Sequence, residues 1–171
     1  SRRRHTRYGT VTGVQTCALP ISLILFTSDN GSRNDYGPSN GPLRGKKNSG
    51  WDGGSRVPFI AHWPGVVPAG RVSSELITGM DLMPTIAHLA GTSAPTDRII
   101  DGKDFSPLLL GHTDTGPRDT FFYYLGDKLD AVRHGKWKLH VRRTMWKKEE
   151  PHLNELYDVE NDIGETIDVS A

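Results

Sequence analysis

The chain has 171 residues, of which 35% are hydrophobic and 24% charged, and its formal net charge is +1. This length permits one domain with a buried core, and the 19 glycines and 11 prolines indicate a loop-rich mixed α/β protein. The charge gives no electrostatic case for a nucleic-acid partner, and no apolar run reaches the roughly 20 residues of a membrane helix. We therefore expect neither nucleic acid nor membrane as a partner.

The first 21 residues differ in character from the rest of the chain. Residues 1–7 are basic, residues 11–21 are neutral, and neither stretch has helical or strand periodicity. Back-translation of both stretches resembles a sequencing adapter, so we expect residues 1–21 to be a non-native leader, with native sequence from about Ser22. The alternative is a natural basic leader. Without this leader the chain has 17 basic and 20 acidic residues, a net charge of −3, and lacks its single cysteine, Cys17.

Residues 22–115 form the first predicted unit. Residues 23–26 are continuously apolar, which predicts a strand buried on both faces of an α/β sheet. A second strand is predicted over residues 57–63. The residues between the two strands, 30–56, are rich in glycine, asparagine, serine and proline and have no periodicity. A loop of this length is usually functional or disordered.

Two helices follow in the first unit. Apolar residues recur at helical spacing over residues 81–89, which predicts a helix with Asp81 as its N-cap and Gly91 as the residue that stops it. Residues 105–110 predict a short apolar helix or turn that ends at Gly111.

Residues 116–171 form the second predicted unit, a small antiparallel subdomain, with the boundary near residues 112–118. Residues 134–136 predict a short turn between two strands that form a hairpin. Residues 142–152 are charged and predict an excursion from the sheet. The strands of this meander are predicted at residues 120–125, 129–133, 137–141 and, as a possible fourth, 155–158.

Two hard oxygen donors follow the first strand. Asp29 offers a carboxylate and Asn30 an amide carbonyl, and such donors suit Ca²⁺ or Mg²⁺ rather than zinc. Both side chains reach one ion only where the strand ends and the backbone turns, and Gly31 permits that turn. Ligands of open α/β sheets collect at the carboxyl ends of strands, where this pair lies. The alternative is an ordinary Asx turn.

The loop beyond carries a candidate anion-binding lysine. Lys47 lies among glycines, and its compact ammonium can hold a sulfate or phosphate oxygen as a point charge. The alternatives are a solvated lysine at this position and the neighbouring Lys46 as the competing cation. Arg56 can clamp an oxyanion or pair with Asp52, and we favour the structural pairing.

The histidines and tryptophans carry little functional signal. No histidine pair has the spacing of a metal-binding helix, and no basic stripe surrounds the tryptophans. We therefore interpret most histidines as surface or hydrogen-bonded core residues. The tryptophans, interpreted as packing anchors, are Trp51, Trp63, Trp137 and Trp146.

Six short motifs follow one another in the chain: T-S-D-N-G (27–31), G-P-L-R-G-K-K (41–47), W-D-G-G-S-R-V-P (51–58), D-L-M-P-T (81–85), D-G-K-D-F-S-P-L-L-L-G (101–111) and L-Y-D-V-E-N-D-I-G-E (156–165). In this order they resemble the formylglycine-dependent sulfatases of the alkaline phosphatase superfamily, over about residues 22–169. The chain departs from the family pattern at Lys46, usually glycine, at Asp52, usually glutamate, and at Ile163, usually proline.

The resemblance implies a fold, a site and a chemistry. The fold is the C-terminal part of the α/β sulfatase sheet plus the small antiparallel subdomain. Asp29 and Asn30 match the second pair of calcium ligands, and Lys47 matches the catalytic lysine that contacts the substrate sulfate. The substrate is a sulfate ester of a small molecule or glycan. A location in the periplasm, outside the cell or in the lysosome follows by analogy.

The nucleophile that the resemblance implies has no counterpart here. Family members form it as a formylglycine from a cysteine in a C-x-P-S-R motif, whereas Cys17 is followed by Ala18-Leu19-Pro20. We therefore expect an inactive C-terminal fragment whose partner is the missing N-terminal half of the same protein. Two alternatives stay open: a phosphoester or phosphonate hydrolase of the same superfamily, and a non-catalytic calcium-binding module.

Overall fold

The structure, a computed structural model, describes residues 19–33, 39–145 and 148–171. Of the predicted leader it describes only the short turn Leu19–Ile21, and the remainder lies outside the described residues. Within the described part of the chain, no helix has the length and apolarity needed to cross a membrane. The elements are β1 Ile24–Thr27, α1 Asp52–Ser55, β2 Phe59–His62, α2 Leu82–Leu89, α3 Ser106–Leu109, β3 Thr120–Leu125, β4 Lys128–His134, β5 Trp137–Met145 and β6 Lys148–Asp158.

The strands form two sheets. The first contains β1 and β2, and the second is a four-stranded antiparallel meander in the order β3-β4-β5-β6. Three short helices, α1 to α3, lie in the chain between β1 and β3. The predicted mixed α/β class with a small antiparallel sheet is therefore confirmed.

The first strand is less buried than its sequence predicts. β1 pairs antiparallel with β2, Phe26 lying opposite Ile60. Phe26 is 64% exposed and Ile60 58%, so the prediction of a strand buried on both faces is wrong for the described residues. A two-stranded ribbon gives each strand a single neighbour, and its apolar side chains are buried only where another layer covers them.

Helix α2 confirms the predicted helix but corrects its cap. Asp81 has helical backbone angles and ends a short turn, Gly79–Asp81, that leads directly into α2. Its Oδ2 accepts hydrogen bonds from the Thr78 backbone N–H at 2.7 Å and the Thr78 hydroxyl at 3.0 Å. Thr78 is thus the residue that caps this segment, in a capping box that Asp81 completes three positions later. Gly91 follows the helix with a φ of 74°, as expected for a helix stop.

The short helix α3 confirms the second predicted helix and ties β2 to the rest of the fold. Phe105, just before α3, is buried and meets the edge of Phe59 with ring centroids 6.0 Å apart. Its backbone N–H donates to the Thr85 hydroxyl of α2 at 3.0 Å. Strand β2, helix α2 and the start of α3 therefore share contacts.

The predicted hairpin is confirmed, and it is longer than expected. Gly135 and Lys136 form the turn between His134 of β4 and Trp137 of β5. The predicted charged excursion over residues 142–152 is wrong, because β5 and β6 stay paired from Arg142↔Pro151 to Met145↔Lys148. β6 lies at the edge of the sheet, where a proline is tolerated because the backbone on one side of the strand needs no partner.

The meander buries polar side chains on the face that packs against the loop of residues 44–56. Lys138 and His140 of β5 are buried, whereas Trp137 on the opposite face is 41% exposed. Tyr123 and Ala131 share the buried face, since β3 and β4 place them in register with His140. The supporting sheet thus meets the loop through charges and aromatic rings rather than through an aliphatic core.

Candidate functional site

The backbone brings together the two segments that carry the predicted site residues. The N–H of Lys47 donates to the carbonyl of Ser32 at 2.9 Å, and the N–H of Gly31 donates to the carbonyl of Gly54 at 3.0 Å. Asp29 and Asn30 immediately precede this contact in sequence. The turn after β1 therefore lies against the loop of residues 44–56, which we call the lysine loop.

Asn40 fastens the two segments with a single side chain. Its Oδ1 accepts the N–H of Ser32 at 2.9 Å, and its Nδ2 donates to the carbonyls of Gly45 at 2.9 Å and Gly53 at 2.8 Å. Both donors and one acceptor position of the amide are used, so Asn40 has a structural role here.

The polar side-chain groups of the predicted site residues have no hydrogen-bond or ion-pair partner among the described residues. Asp29 is exposed, and Asn30 and Lys47 are half-buried. Among the described residues, neither the side-chain oxygens of this pair nor the Lys47 ammonium forms a hydrogen bond or ion pair. The Ser32 hydroxyl beside them is buried and also lacks a partner within the described ranges. Lys46 is half-buried like Lys47, so burial alone does not separate the two lysines.

The donor chemistry fits a hard cation in part. A carboxylate and an amide carbonyl suit Ca²⁺ or Mg²⁺, but calcium takes about 6–8 oxygens, so two side chains leave its coordination incomplete. Within the part of the chain that the structure describes, there is no group of three or more His, Cys, Asp or Glu residues placed to hold a metal ion. Asp29 and Asn30 can therefore supply only a share of a cation site.

The close approach of the two segments requires glycine at position 31. A Cβ there would lie 1.8 Å from the Gly53 carbonyl oxygen, so Gly31→Ala forces the segments apart. We expect the free energy of unfolding to fall by ~1–3 kcal/mol, as measured by urea denaturation. Gly79→Ala is the matched control, because nothing lies within 4 Å of its added Cβ. Equal stability of the two variants would contradict the close packing.

A buried charge cluster lies beneath the lysine loop; its members are Asp52, Lys138, His140 and Glu165. The Lys138 ammonium donates to Asp52 Oδ1 at 2.6 Å and lies 2.9 Å from Glu165 Oε1. His140 Nε2 lies 2.7 Å from the same Glu165 oxygen. The second oxygen of Glu165 accepts the backbone N–H of Asp52 at 2.8 Å. The cluster thus joins the loop, the sheet and the C-terminal tail.

Lys138 is the cation that pairs with both carboxylates of the cluster. Burial by itself would raise the pKa of Asp52, but the adjacent Lys138 ammonium outweighs burial and holds that pKa below its usual value. Burial lowers the pKa of His140 despite its contact with Glu165. A neutral His140 must carry its proton on Nε2 to donate to the carboxylate. Arg56 Nη1 lies 3.6 Å from Asp52 Oδ2, which confirms the predicted structural pairing.

Aromatic rings complete the contact between loop and sheet. Trp51 is 6% exposed and stacks on His140 with ring centroids 3.9 Å apart. The Arg44 guanidinium lies 3.7 Å from the centroid of the Trp51 ring, and Tyr157 meets that ring edge-on at 5.6 Å. Trp51 is therefore a packing anchor, as predicted, whereas the same prediction is wrong for Trp137, which is 41% exposed. Trp146 lies outside the described residues.

Sequence reasoning missed the residues that hold the loop from the sheet side. Lys138 and His140 alternate with Trp137 and Leu139 along β5, which indicates a strand but not which face is buried. Glu165 is the last acid of the closing motif, and nothing in its local sequence indicates a partner. Their pairing with Asp52 spans 86 and 113 residues, so no local pattern could have revealed it.

A serine, a histidine and an aspartate also meet near α3, but they do not form a catalytic triad. Ser106 Oγ lies 3.1 Å from His88 Nδ1, and Asp104 Oδ2 contacts that same nitrogen. In a triad the nucleophile and the acid contact opposite nitrogens of the ring. The Ser106 backbone N–H donates to Asp104 Oδ1 at 2.8 Å, which is a turn hydrogen bond at the start of α3. This group is structural.

Comparison with known proteins gives consistent matches. A family model described as Sulfatase matches residues 19–92, a range that contains Asp29, Asn30 and Lys47. An arylsulfatase of Hemicentrotus pulcherrimus is 44% identical over 124 residues, which are 71% of this chain and 22% of that relative. An N-acetylgalactosamine-6-sulfatase of Canis lupus familiaris is 47% identical over 123 residues, 70% of this chain and 23% of that relative.

The fold has a similar counterpart among solved structures. The crystal structure of the PsFucS1 sulfatase from Pseudoalteromonas sp. matches with a TM-score of 0.75 and 28% identity, covering 86% of this chain and 32% of that chain. The chain therefore spans about a fifth to a quarter of the length of the curated relatives, and about a third of the solved structure.

Proposed function

Because this chain belongs to the sulfatase family, we propose that it takes part in the hydrolysis of sulfate esters of aromatic alcohols or carbohydrates. The observation that carries the proposal is the backbone contact between the turn after β1 and the lysine loop, Lys47 N to Ser32 O at 2.9 Å. That contact joins the two segments on which the expected cation ligands and the expected sulfate-binding lysine lie. The matched relatives are sulfatases, and nothing favours the phosphoester alternative.

Each proposed site residue has a distinct task. Lys47 binds a sulfate oxygen through its ammonium, which has no protein partner among the described residues. Asp29 and Asn30 contribute oxygen ligands to a Ca²⁺ ion, with Mg²⁺ as the alternative. When bound, the cation stabilises negative charge on the sulfuryl oxygens. Lys47 adds to that stabilisation from the lysine loop, and the loop's fixed backbone sets where its charge lies.

The nucleophile does not fit onto these 171 residues. Formylglycine requires a C-x-P-S-R cysteine, and Cys17 stands in a different sequence. We propose that the nucleophile and the remaining cation ligands lie in sequence outside this chain, as the greater length of the relatives supports. Residues 22–115 would then carry the site, and residues 116–171 would support the lysine loop from below. Family analogy supports a periplasmic, extracellular or lysosomal location.

The proposal is tested by the binding of 4-nitrophenyl sulfate to the 171-residue chain, measured by calorimetry at low ionic strength. Lys47→Ala should weaken binding roughly 10- to 100-fold, because a hydrogen bond to a charged group contributes about 1.5–3 kcal/mol. Lys46→Ala is the matched control and should leave the affinity within about twofold.

A second arm of the same experiment tests the cation ligands. Calcium should strengthen the binding of 4-nitrophenyl sulfate, and Asp29→Ala should abolish that dependence, since it removes the only carboxylate of the proposed pair. Equal affinity of the unaltered chain and Lys47→Ala for the ester would overturn the proposed role of the lysine. Loss of binding on Lys46→Ala alone would assign the role to Lys46 instead.

A further inference from the structure

We infer that Glu165 is a positioning residue for Lys47: it holds the lysine loop on both sides of Lys47, at Arg44 and at Asp52, and so determines how tightly that loop binds a sulfate ester. This inference rests on the proposed function. Lys47 makes its own contact with the turn after β1, but the loop that carries it is held by a residue 118 positions later in the sequence. Glu165 would therefore act through the loop and not by touching the substrate.

The clamp consists of two contacts made by one residue. The backbone carbonyl of Glu165 accepts a hydrogen bond from Arg44 Nη1 at 2.7 Å, at the start of the lysine loop. Its Oε2 accepts the backbone N–H of Asp52 at 2.8 Å, eight residues further along. Lys47 lies between these two points. Fixing both ends of a segment restricts the conformations available to the residues between them.

The Glu165 carboxylate is itself fixed from the sheet. Its Oε1 contacts the Lys138 ammonium at 2.9 Å and His140 Nε2 at 2.7 Å, and the side chains of Glu165 and Lys138 are fully buried. Burying a carboxylate is unfavourable unless a cation and hydrogen bonds stabilise it, and here Lys138 supplies the positive charge and His140 a hydrogen bond. The sheet thereby defines where the clamp sits.

The backbone of Glu165 is unusual in a way that fits a positioning role. Its φ is 51°, in the left-handed region that residues with a Cβ rarely adopt. Asp162 holds this turn, since its carbonyl accepts the Glu165 N–H at 3.0 Å and its Oδ2 accepts the Thr166 N–H at 2.6 Å. An unfavourable conformation persists only where surrounding contacts determine it, and such residues concentrate at functional sites.

A fixed loop favours binding because less conformational freedom is lost when the anion is captured. Within the loop, the Gly53 N–H donates to the Arg44 carbonyl at 2.7 Å, so the two clamped ends also contact each other. Releasing either end should allow this contact and the Lys47–Ser32 contact to open more often. The ammonium of Lys47 would then be presented less often in its binding position.

Hydrogen–deuterium exchange on the full 171-residue chain tests the clamp without any ligand. Glu165→Gln keeps the side-chain volume and removes the charge. The amides of Lys47 and Gly53 should exchange about tenfold faster in this variant, because a charge-assisted hydrogen bond is lost. Asp81→Asn is the matched control: Asp81 is equally buried and pairs with Arg118, but it lies outside the loop and its contacts. Its lysine-loop amides should exchange as in the unaltered chain.

The affinity for 4-nitrophenyl sulfate gives the second readout. Glu165→Gln should weaken it by about 3- to 10-fold at a temperature where the chain is fully folded, whereas Asp81→Asn should leave it unchanged. Arg44→Gln cuts the other contact of the clamp, leaves the buried charge cluster intact, and should release the same amides. If Glu165→Gln does not fold, Arg44→Gln still tests the clamp.

The outcomes separate the two proposals. Unchanged lysine-loop exchange in both clamp variants overturns the positioning role of Glu165, as does an equal acceleration in Asp81→Asn. Selective acceleration together with weaker ester binding supports it. Failure of the unaltered chain to bind 4-nitrophenyl sulfate overturns the proposed function instead, because the exchange measurement requires no ligand.

Discussion

Lys138→Met should lower the free energy of unfolding by ~3–5 kcal/mol, because it breaks a buried ion pair and leaves the partner carboxylates unpaired. The side chain is fully buried, and its ammonium is the cation closest to both Asp52 and Glu165. Methionine fills a similar volume but leaves two buried carboxylates without that compensation. Urea denaturation followed by circular dichroism measures the loss.

The double variant Asp52→Asn/Lys138→Met separates charge from packing. It removes one of the two stranded carboxylates, and the remaining Glu165 keeps its contact with His140. We expect the double variant to recover at least about 1 kcal/mol relative to Lys138→Met, since contacting charges couple by that order. A loss below about 1 kcal/mol in Lys138→Met would show that solvent already screens the cluster.

Trp51→Ala should cost ~3–5 kcal/mol of unfolding free energy, because it removes a large buried ring and leaves a cavity between the lysine loop and the sheet. The ring stacks on His140 and carries the Arg44 guanidinium on its face. Its loss also removes an attraction of about 0.5–2 kcal/mol between the cation and the ring. Thermal and urea denaturation both report the change.

Trp137→Ala is the matched control for that substitution. Trp137 belongs to the same sheet but is 41% exposed, and its ring makes one described cation contact, with Lys136 at 4.6 Å. We expect it to cost less than half as much as Trp51→Ala, because partial exposure reduces the transfer free energy that is lost. Equal costs would contradict the assignment of Trp51 as the anchor of the loop.

Lys138→Met and Trp51→Ala both test how the lysine loop is held against the sheet. The lysine loop contains little regular structure, one helical turn over Asp52–Ser55, and its glycines favour flexibility. Its rigidity depends on Lys138 and Glu165 beneath it and on the Trp51 ring between them. Such support can fix the position of a loop without a helix or strand, and the proposed role of Lys47 in electrostatic stabilisation requires a charge that is fixed in this way.

Much of the fold could be predicted because local rules decide it. The apolar periodicity of α2 and the glycine after it located that helix, and the short turn at Gly135 located the β4–β5 hairpin. The prediction failed where burial depended on partners distant in sequence. Phe26 is exposed although its run is apolar, and the charged residues after Val141 remain in the sheet because the end of β5 pairs with β6.

Like the fold, the candidate site could be predicted only in part from the sequence. The order of short motifs was enough to identify the family and to place Asp29, Asn30 and Lys47 on two particular loops. The chemical type of each of these side chains then indicates which ligands it can bind. The assignment of these three to cation and sulfate stays a prediction. The helical turn α1 within the lysine loop was missed, since its glycines have no helical propensity and tertiary contacts hold it.

The amino-acid sequence alone determined the family, the positions of α2, α3 and the β4–β5 hairpin, and the chemical types of the candidate ligands, since these depend on residue identity and spacing within short segments. The tertiary structure alone decided that Asp52, Lys138, His140 and Glu165 meet, and that β5 buries the face that carries Lys138 and His140. Ion pairing depends on three-dimensional distance and on exclusion of water, and neither quantity is encoded in the local pattern of any one segment.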